Sequence, residues 1–118
     1  MRPDNRDSGL LWDMHNAACE IKELTEGLSY SQFGSQKALR YAVERLLMII
    51  REAAKRVSDD FKTSHQEIPW KAIIGQRNVL AHEYGEIILD RIWSVIVDRI
   101  PELLNQLEPY IQLENDEE

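Results

Sequence analysis

Apolar residues recur at threes and fours along most of this chain, the spacing of a helix with one buried face. Leu10, Leu11, Met14, Ala17, Ala18, Ile21 and Leu24 predict a first helix from about Asp7 to Glu26, closed by Gly27. In the connector from Leu28 to Gly34, Ser29 and Ser31 are placed to cap one short turn, with Tyr30 and Phe33 filling the core. Ser35 is the expected cap of a long second helix to about Val57. Its seam is Leu39, Ala42, Val43, Leu46, Ile50, Ala53 and Val57, widened by Leu47 and Ile49. Ser58 to Glu67 reads as a polar link with one turn around Asp59 to Lys62, leaving His65 in an exposed loop. Pro69 suits the first position of a third helix that Trp70 anchors and Gly85 ends. The last helix runs from about Ile87 or Leu89 to Gln106. Its Ile88, Ile92, Trp93, Ile96, Ile100, Leu103, Leu104 and Leu107 face inward. Val95 and Val97 leave it little polar surface, which predicts the most buried element. Pro101 must bend it or break one backbone bond near Val97.

No strand pattern competes. The fold class expected is all-α, an antiparallel bundle of four main helices with one or two short turns, in one domain over residues 1–118. The acidic tail, about 112–118, is expected to fray. Apolar surface on the second and last helices exceeds what one small bundle buries, which predicts a homodimer.

Composition narrows the chemistry. The net charge is −7 over 118 residues, so the surface as a whole repels nucleic acid and any RNA contact must be local. Arg45, Arg51, Lys55 and Arg56 form either a modest basic strip or a solvated face. A partner with a basic surface suits the remainder. Cys19 is the one cysteine, which rules out a disulfide within the chain and a cysteine zinc site. The start lacks a signal-peptide pattern and no run approaches a membrane span, so a cytoplasmic protein without membrane contact is expected. Neither a glycine-rich phosphate loop nor metal-ligand spacing is present, and no cofactor or metal is expected.

One stretch departs from the plain amphipathic pattern. On a helix from Pro69 to Gly85, at about 100° per residue, Ile73, Ile74, Leu80, Ala81 and Tyr84 share one apolar stripe. Arg77 lies inside that stripe, and Asn78 and His82, four apart, border it. A guanidinium on a packing face is costly unless it is paired or wet. Either the stripe faces a polar cleft, or Arg77 pairs with a buried glutamate and His82 caps the helix end. Arg77 and His82 stand about 140° apart on a regular helix. They converge if the last turn unwinds, if Arg77 reaches around, or if two protomers each supply one. Glu44, at the edge of the second helix's seam, either orients Arg77 or His82 or pairs with Arg40 at the surface. His15, off the main stripe of the first helix, either touches the cleft or is a surface histidine, the reading favoured because no partner spacing surrounds it.

An imidazole and a guanidinium suffice for RNA cleavage without a metal, because RNA carries its own nucleophile in the 2′-hydroxyl. Histidine moves the proton, and arginine holds the phosphate and its developing charge.

The run Arg77-Asn-Val-Leu-Ala-His-Glu-Tyr84 resembles the signature of the HepT-like family of HEPN-domain toxins: arginine, four residues, histidine, any residue, tyrosine. Met1-Arg-Pro-Asp4, Glu26-Gly-Leu-Ser-Tyr-Ser-Gln-Phe33, Ala42-Val-Glu-Arg-Leu-Leu47, Ile68-Pro-Trp70 and Ile73-Ile-Gly75 resemble its other blocks, in order, up to about Leu107. The resemblance implies a dimeric, metal-independent endoribonuclease whose two motifs meet at the interface. Arg77 and His82 would be catalytic, and Asn78 would orient the histidine. Tyr84 would be the tyrosine that a partner nucleotidyltransferase antitoxin of the MntA type modifies with AMP, adding bulk and negative charge over the cleft. Without the family, Tyr84 reads as a core tyrosine near a helix end. Met48 and Arg51 depart from the acidic or small residues expected there and alter the cleft's charge. The alternative from the same features is a non-catalytic dimeric helical subunit that binds a nucleotidyltransferase.

Overall fold

In the computed structural model, which describes residues 4–75 and 86–116, the side chain of Asp4 opens the first helix by accepting the Asp7 N–H at 2.7 Å. This helix, α1 (Asn5–Thr25), buries Leu10, Leu11, Met14, Ala17, Ala18 and Ile21 as its spacing predicts. Leu24 leaves that stripe and is exposed, while Thr25 is buried with its hydroxyl donating to the Ile21 carbonyl at 2.7 Å. Gly27 turns the chain with φ +79°, the left-handed conformation that glycine adopts without strain after a helix.

Ser29 then starts α2 (Tyr30–Gly34) with a reciprocal capping box to Gln32. Phe33 is fully buried, its ring centroid 5.5 Å from that of Trp93. Tyr30 does not fill the core. Its ring leans on Trp93 while its hydroxyl reaches outward and donates to Asp90, because a phenol needs a polar partner that the core does not offer. Ser35 ends α2 instead of capping the next helix: its hydroxyl donates to the Gln32 carbonyl at 3.0 Å. The long helix α3 (Lys37–Arg56) follows from Gln36 without a side-chain cap.

α3 buries Val43, Leu46, Leu47, Ile50, Ala53 and Ala54, packs against α1 along its length and also meets α2. The polar link after it is a helix, α4 (Asp59–Ser64), capped by Ser58. Asp7, almost fully buried, accepts both the Ser58 N–H at 2.9 Å and the Ser58 hydroxyl at 2.6 Å. One carboxylate thereby ties the start of α1 to the α3–α4 corner and meets the rule that buried charge must be hydrogen-bonded.

Helix α5 (Trp70–Ile74) begins after Pro69, which serves as its cap and not its first residue. Trp70 anchors it, buried, with its indole N–H donating to the His65 carbonyl at 3.0 Å. α5 ends at Gly75, a residue that adds no side chain to hold another turn. The helix expected to run on from Pro69 is therefore interrupted at Gly75; the rest of that expectation, from Gln76 to Gly85, lies outside the described residues.

The last helical rod comprises α6 (Glu86–Ser94), a π-helical turn (Val95–Arg99) and α7 (Ile100–Asp116). Pro101 explains the turn. Proline has no N–H to give the carbonyl four residues back, and its ring collides with that carbonyl in a regular helix. The wider π turn, in which the Ile100 N–H bonds the Val95 carbonyl, accommodates both faults. Ile92, Ile96, Ile100, Leu103 and Leu107 are buried as expected, but Val97 is 50% exposed. The rod is thus one-faced and not the most buried element, and it continues helical past Gln106 into the tail expected to fray. α7 lies along α1, completing an all-α bundle without strands among the described residues. No helix among them is long and apolar enough to cross a membrane.

Candidate functional site

Of the residues singled out by sequence, Arg77, Asn78, His82 and Tyr84 lie outside the described residues. Glu44 lies inside them, half-buried on α3. It forms no ion pair with Arg40 among the described residues, and the Arg40 Nε is buried without a hydrogen-bond partner there. Glu44, Arg51 and Lys55 are spaced seven and four apart, which puts all three within about 40° on one side of α3.

That side of α3 opens on a cleft. C-terminal α3, α4 and α5 border about 760 Å³ between them, with Gly75 among the lining residues. Ile68, Pro69, Trp70 and Ile74 supply its apolar surface, and among the described residues every charged residue lining it is a cation: Arg51, Lys55, Lys62 and Lys71. Lys55 and Lys71 have no ion-pair partner among the described residues. The Lys62 ammonium donates to the Lys55 main-chain carbonyl at 3.4 Å and stands 5.9 Å from the Trp70 ring centroid. Arg51 gives one terminal nitrogen to Glu52 at 2.9 Å, while its Nε is buried and unpartnered among the described residues. Glu44 does not line the cleft; it sits about 10 Å up the α3 axis from Arg51.

The basic strip read from the sequence is thus divided. Arg51 and Lys55 turn to the cleft, whereas Arg45 and Arg56 border a separate shallow groove beside Asp13 and Glu52. Lys62 and Lys71 lie outside that strip. They belong to other elements, and only the fold gathers them beside Arg51 and Lys55.

A second polar cluster joins α4 to α7. Tyr110 Oη donates to Glu67 Oε2 and lies against His65 Nδ1, each at 2.7 Å. The His65 ring lies 4.2 Å from that of Phe61. His65 is therefore held in a partly buried pocket and is not an exposed loop residue. Burial, followed by the Glu67 hydrogen bond, pushes the Tyr110 phenol up to about 12. The same hydrogen bond holds the Glu67 carboxyl below its ordinary value. His15 is likewise partnered, with Nε2 2.9 Å from Glu108 across the α1–α7 contact. These groups lock helices together through hydrogen bonds among themselves.

Comparison with known proteins places the chain in a wider set. The profile of the family described as "Ribonuclease HepT-like" matches residues 14–110. A Methanocaldococcus jannaschii protein named "Putative RNase MJ1380" is 34% identical over 98 residues, covering 83% of this chain and 90% of its own length. The "Probable ribonuclease HepT" of Thermococcus cleftensis is 35% identical over 98 residues, covering 83% and 89%. "Putative RNase TTE0752" of Caldanaerobacter subterraneus is 38% identical over 97 residues, covering 81% and 87%. No solved structure gives a significant match.

Proposed function

The chain belongs to the HepT-like ribonuclease family, and on that premise we propose that it is a metal-independent endoribonuclease using Arg77 and His82 at a cleft between two copies of the chain. The observation that carries this reading is the intact run from Arg77 to Tyr84, lying inside the family match over residues 14–110.

The chemistry is self-contained. The 2′-hydroxyl oxygen attacks the adjacent phosphorus and gives its proton to one imidazole. The P–O5′ bond breaks, and the leaving oxygen takes a proton from water, leaving a 2′,3′-cyclic phosphate and a 5′-hydroxyl. One protomer supplies the His82 that takes the 2′-hydroxyl proton, and its partner supplies the Arg77 that faces the phosphate. Arg77 binds the non-bridging oxygens and stabilises their added charge in the transition state. Asn78 orients His82, and Glu44 is the candidate carboxylate partner for Arg77 or His82. The protein acts as the toxin of a toxin–antitoxin pair, and a nucleotidyltransferase antitoxin silences it by joining AMP to Tyr84. The added phosphate brings negative charge to the place where the RNA phosphate must bind.

The test is cleavage of mixed RNA in EDTA by purified protein whose Tyr84 is unmodified by mass, beside folded Arg77→Ala and His82→Ala variants. Cleavage by the parent alone, with cyclic-phosphate ends, is expected. An inactive parent that still forms a dimer overturns the enzyme and favours a binding subunit for the nucleotidyltransferase.

A further inference from the structure

We propose, on the ribonuclease reading above, that the cleft between α3, α4 and α5 seats single-stranded RNA, with its phosphates on Arg51, Lys55, Lys62 and Lys71. The chain carries a net charge of −7, yet the four charged residues that line this cleft among the described residues are all cations. A polyanion is repelled by most of the surface. Within roughly a Debye length, about 8 Å at physiological salt, the local cations decide where it lands. Two of these charges are available: Lys55 and Lys71 are exposed and lack ion-pair partners among the described residues, whereas the Arg51 guanidinium is shared with Glu52 and its Nε is buried.

The cleft's other wall selects the form of nucleic acid. Ile68, Pro69 and Ile74 give it apolar surface beneath the cations. A duplex presents phosphates but keeps its bases stacked inside, so it gains little from such a surface. An unpaired strand offers both an apolar base and a phosphate, which is the combination the cleft complements. The volume of about 760 Å³ lies within the range of ligand sites, about 300–1,000 Å³. Gly75, one of the lining residues, is two residues from Arg77 in the chain, a span of at most about 8 Å. A strand touching Gly75 is thereby close to Arg77, assigned above to cleavage.

The experiment reads binding apart from cutting. A short labelled RNA strand, fully 2′-O-methylated and therefore uncleavable, is titrated by fluorescence anisotropy over a series of salt concentrations. The proteins are the parent, the Lys55→Ala, Lys71→Ala double variant, and Lys22→Ala on α1 as a control cation outside the cleft. Each phosphate contact contributes about 0.7 to the slope of log affinity against log salt for single strands. The double variant is expected to bind about tenfold more weakly and to lose about 1.4 from that slope. On cleavable RNA its KM rises while kcat is kept, and its melting temperature is unchanged. Lys22→Ala moves none of these. Parent-like affinity and slope in the double variant overturn the seat even if the parent cuts RNA, and so do equal affinities for duplex and single strand. The same result with loss of an acidic protein partner assigns the cleft to protein docking instead. An altered slope beside a parent that cuts no RNA retains the strand-binding seat and removes the ribonuclease reading.

Discussion

Tyr110 stands between a histidine and a carboxylate, and its single hydroxyl links α7 to the loop after α4. Replacing it with phenylalanine keeps the ring against Phe61 and removes those bonds, at an expected cost of about 1 kcal/mol in urea unfolding at neutral pH. The pH dependence carries two signs. The Glu67 carboxyl is lowered in the folded state, so its stabilisation is present above the unfolded pKa and lost as pH falls through the folded one. The Tyr110 phenol is raised to about 12, so its stabilisation is present below its ordinary value and lost as pH rises through about 10 to 12. Tyr110→Phe should therefore flatten the stability profile at both ends, read as urea midpoints across pH. Asp7→Ala is more severe: it strips two hydrogen bonds from Ser58 at a buried corner and should cost about 1–3 kcal/mol in the same assay. Neither group was legible in the sequence. Asp7 looks like a first-turn acid, and its partner is 51 residues away. His65 looks like a loop residue until Tyr110 folds over it. What the sequence makes plain at this scale is local chemistry, such as the Ser29 cap and the Gly27 turn, where the partners lie within a few positions.

Elements follow the same division between near and distant causes. Gly27 sits at φ +79°, whereas Gly9 lies inside α1 with nothing within 4 Å of the point where an alanine methyl would stand. Gly27→Ala should destabilise by about 1 kcal/mol through left-handed strain, whereas Gly9→Ala should stabilise by about 0.5–1 kcal/mol through helix propensity. Thermal melts should thus move in opposite directions, and a matching shift of both would contradict the assigned conformations. Buried stripes of α1, α3 and the last rod are readable because period and burial coincide. The far side of the last rod is not, since apolar type alone does not say that Val97 faces solvent. Its Pro101 announces a disturbance, but whether a bend or a π turn absorbs it depends on keeping Ile96 and Ile100 both in the core. The cationic cleft is half visible. Arg51 and Lys55 share a helix face, but Lys62 and Lys71 join them only when α4 and α5 fold back on α3.

At the scale of the whole molecule, the chain's acidity and the proposed cutting of RNA are compatible if attraction is confined to one cleft and chemistry to one interface. The interface is testable without knowing the RNA target. On a regular helix Arg77 and His82 diverge by about 140°, which motivates a site assembled from the arginine of one protomer and the histidine of its partner. Arg77→Ala and His82→Ala homodimers should then each be inactive. Mixed after denaturation and refolding together, equal amounts form heterodimers in about half of all pairs, and each heterodimer regains one of its two composite sites. About a quarter of parental cleavage should return, at a dimer mass set by two chains of 13.8 kDa. Dilution that dissociates the dimer should abolish the regained activity in parallel with the mass. If the mixture forms heterodimers and stays inactive, one arginine and one histidine from opposite chains do not make a working site. Each cleft then needs a complete motif from a single protomer, or both copies of both residues.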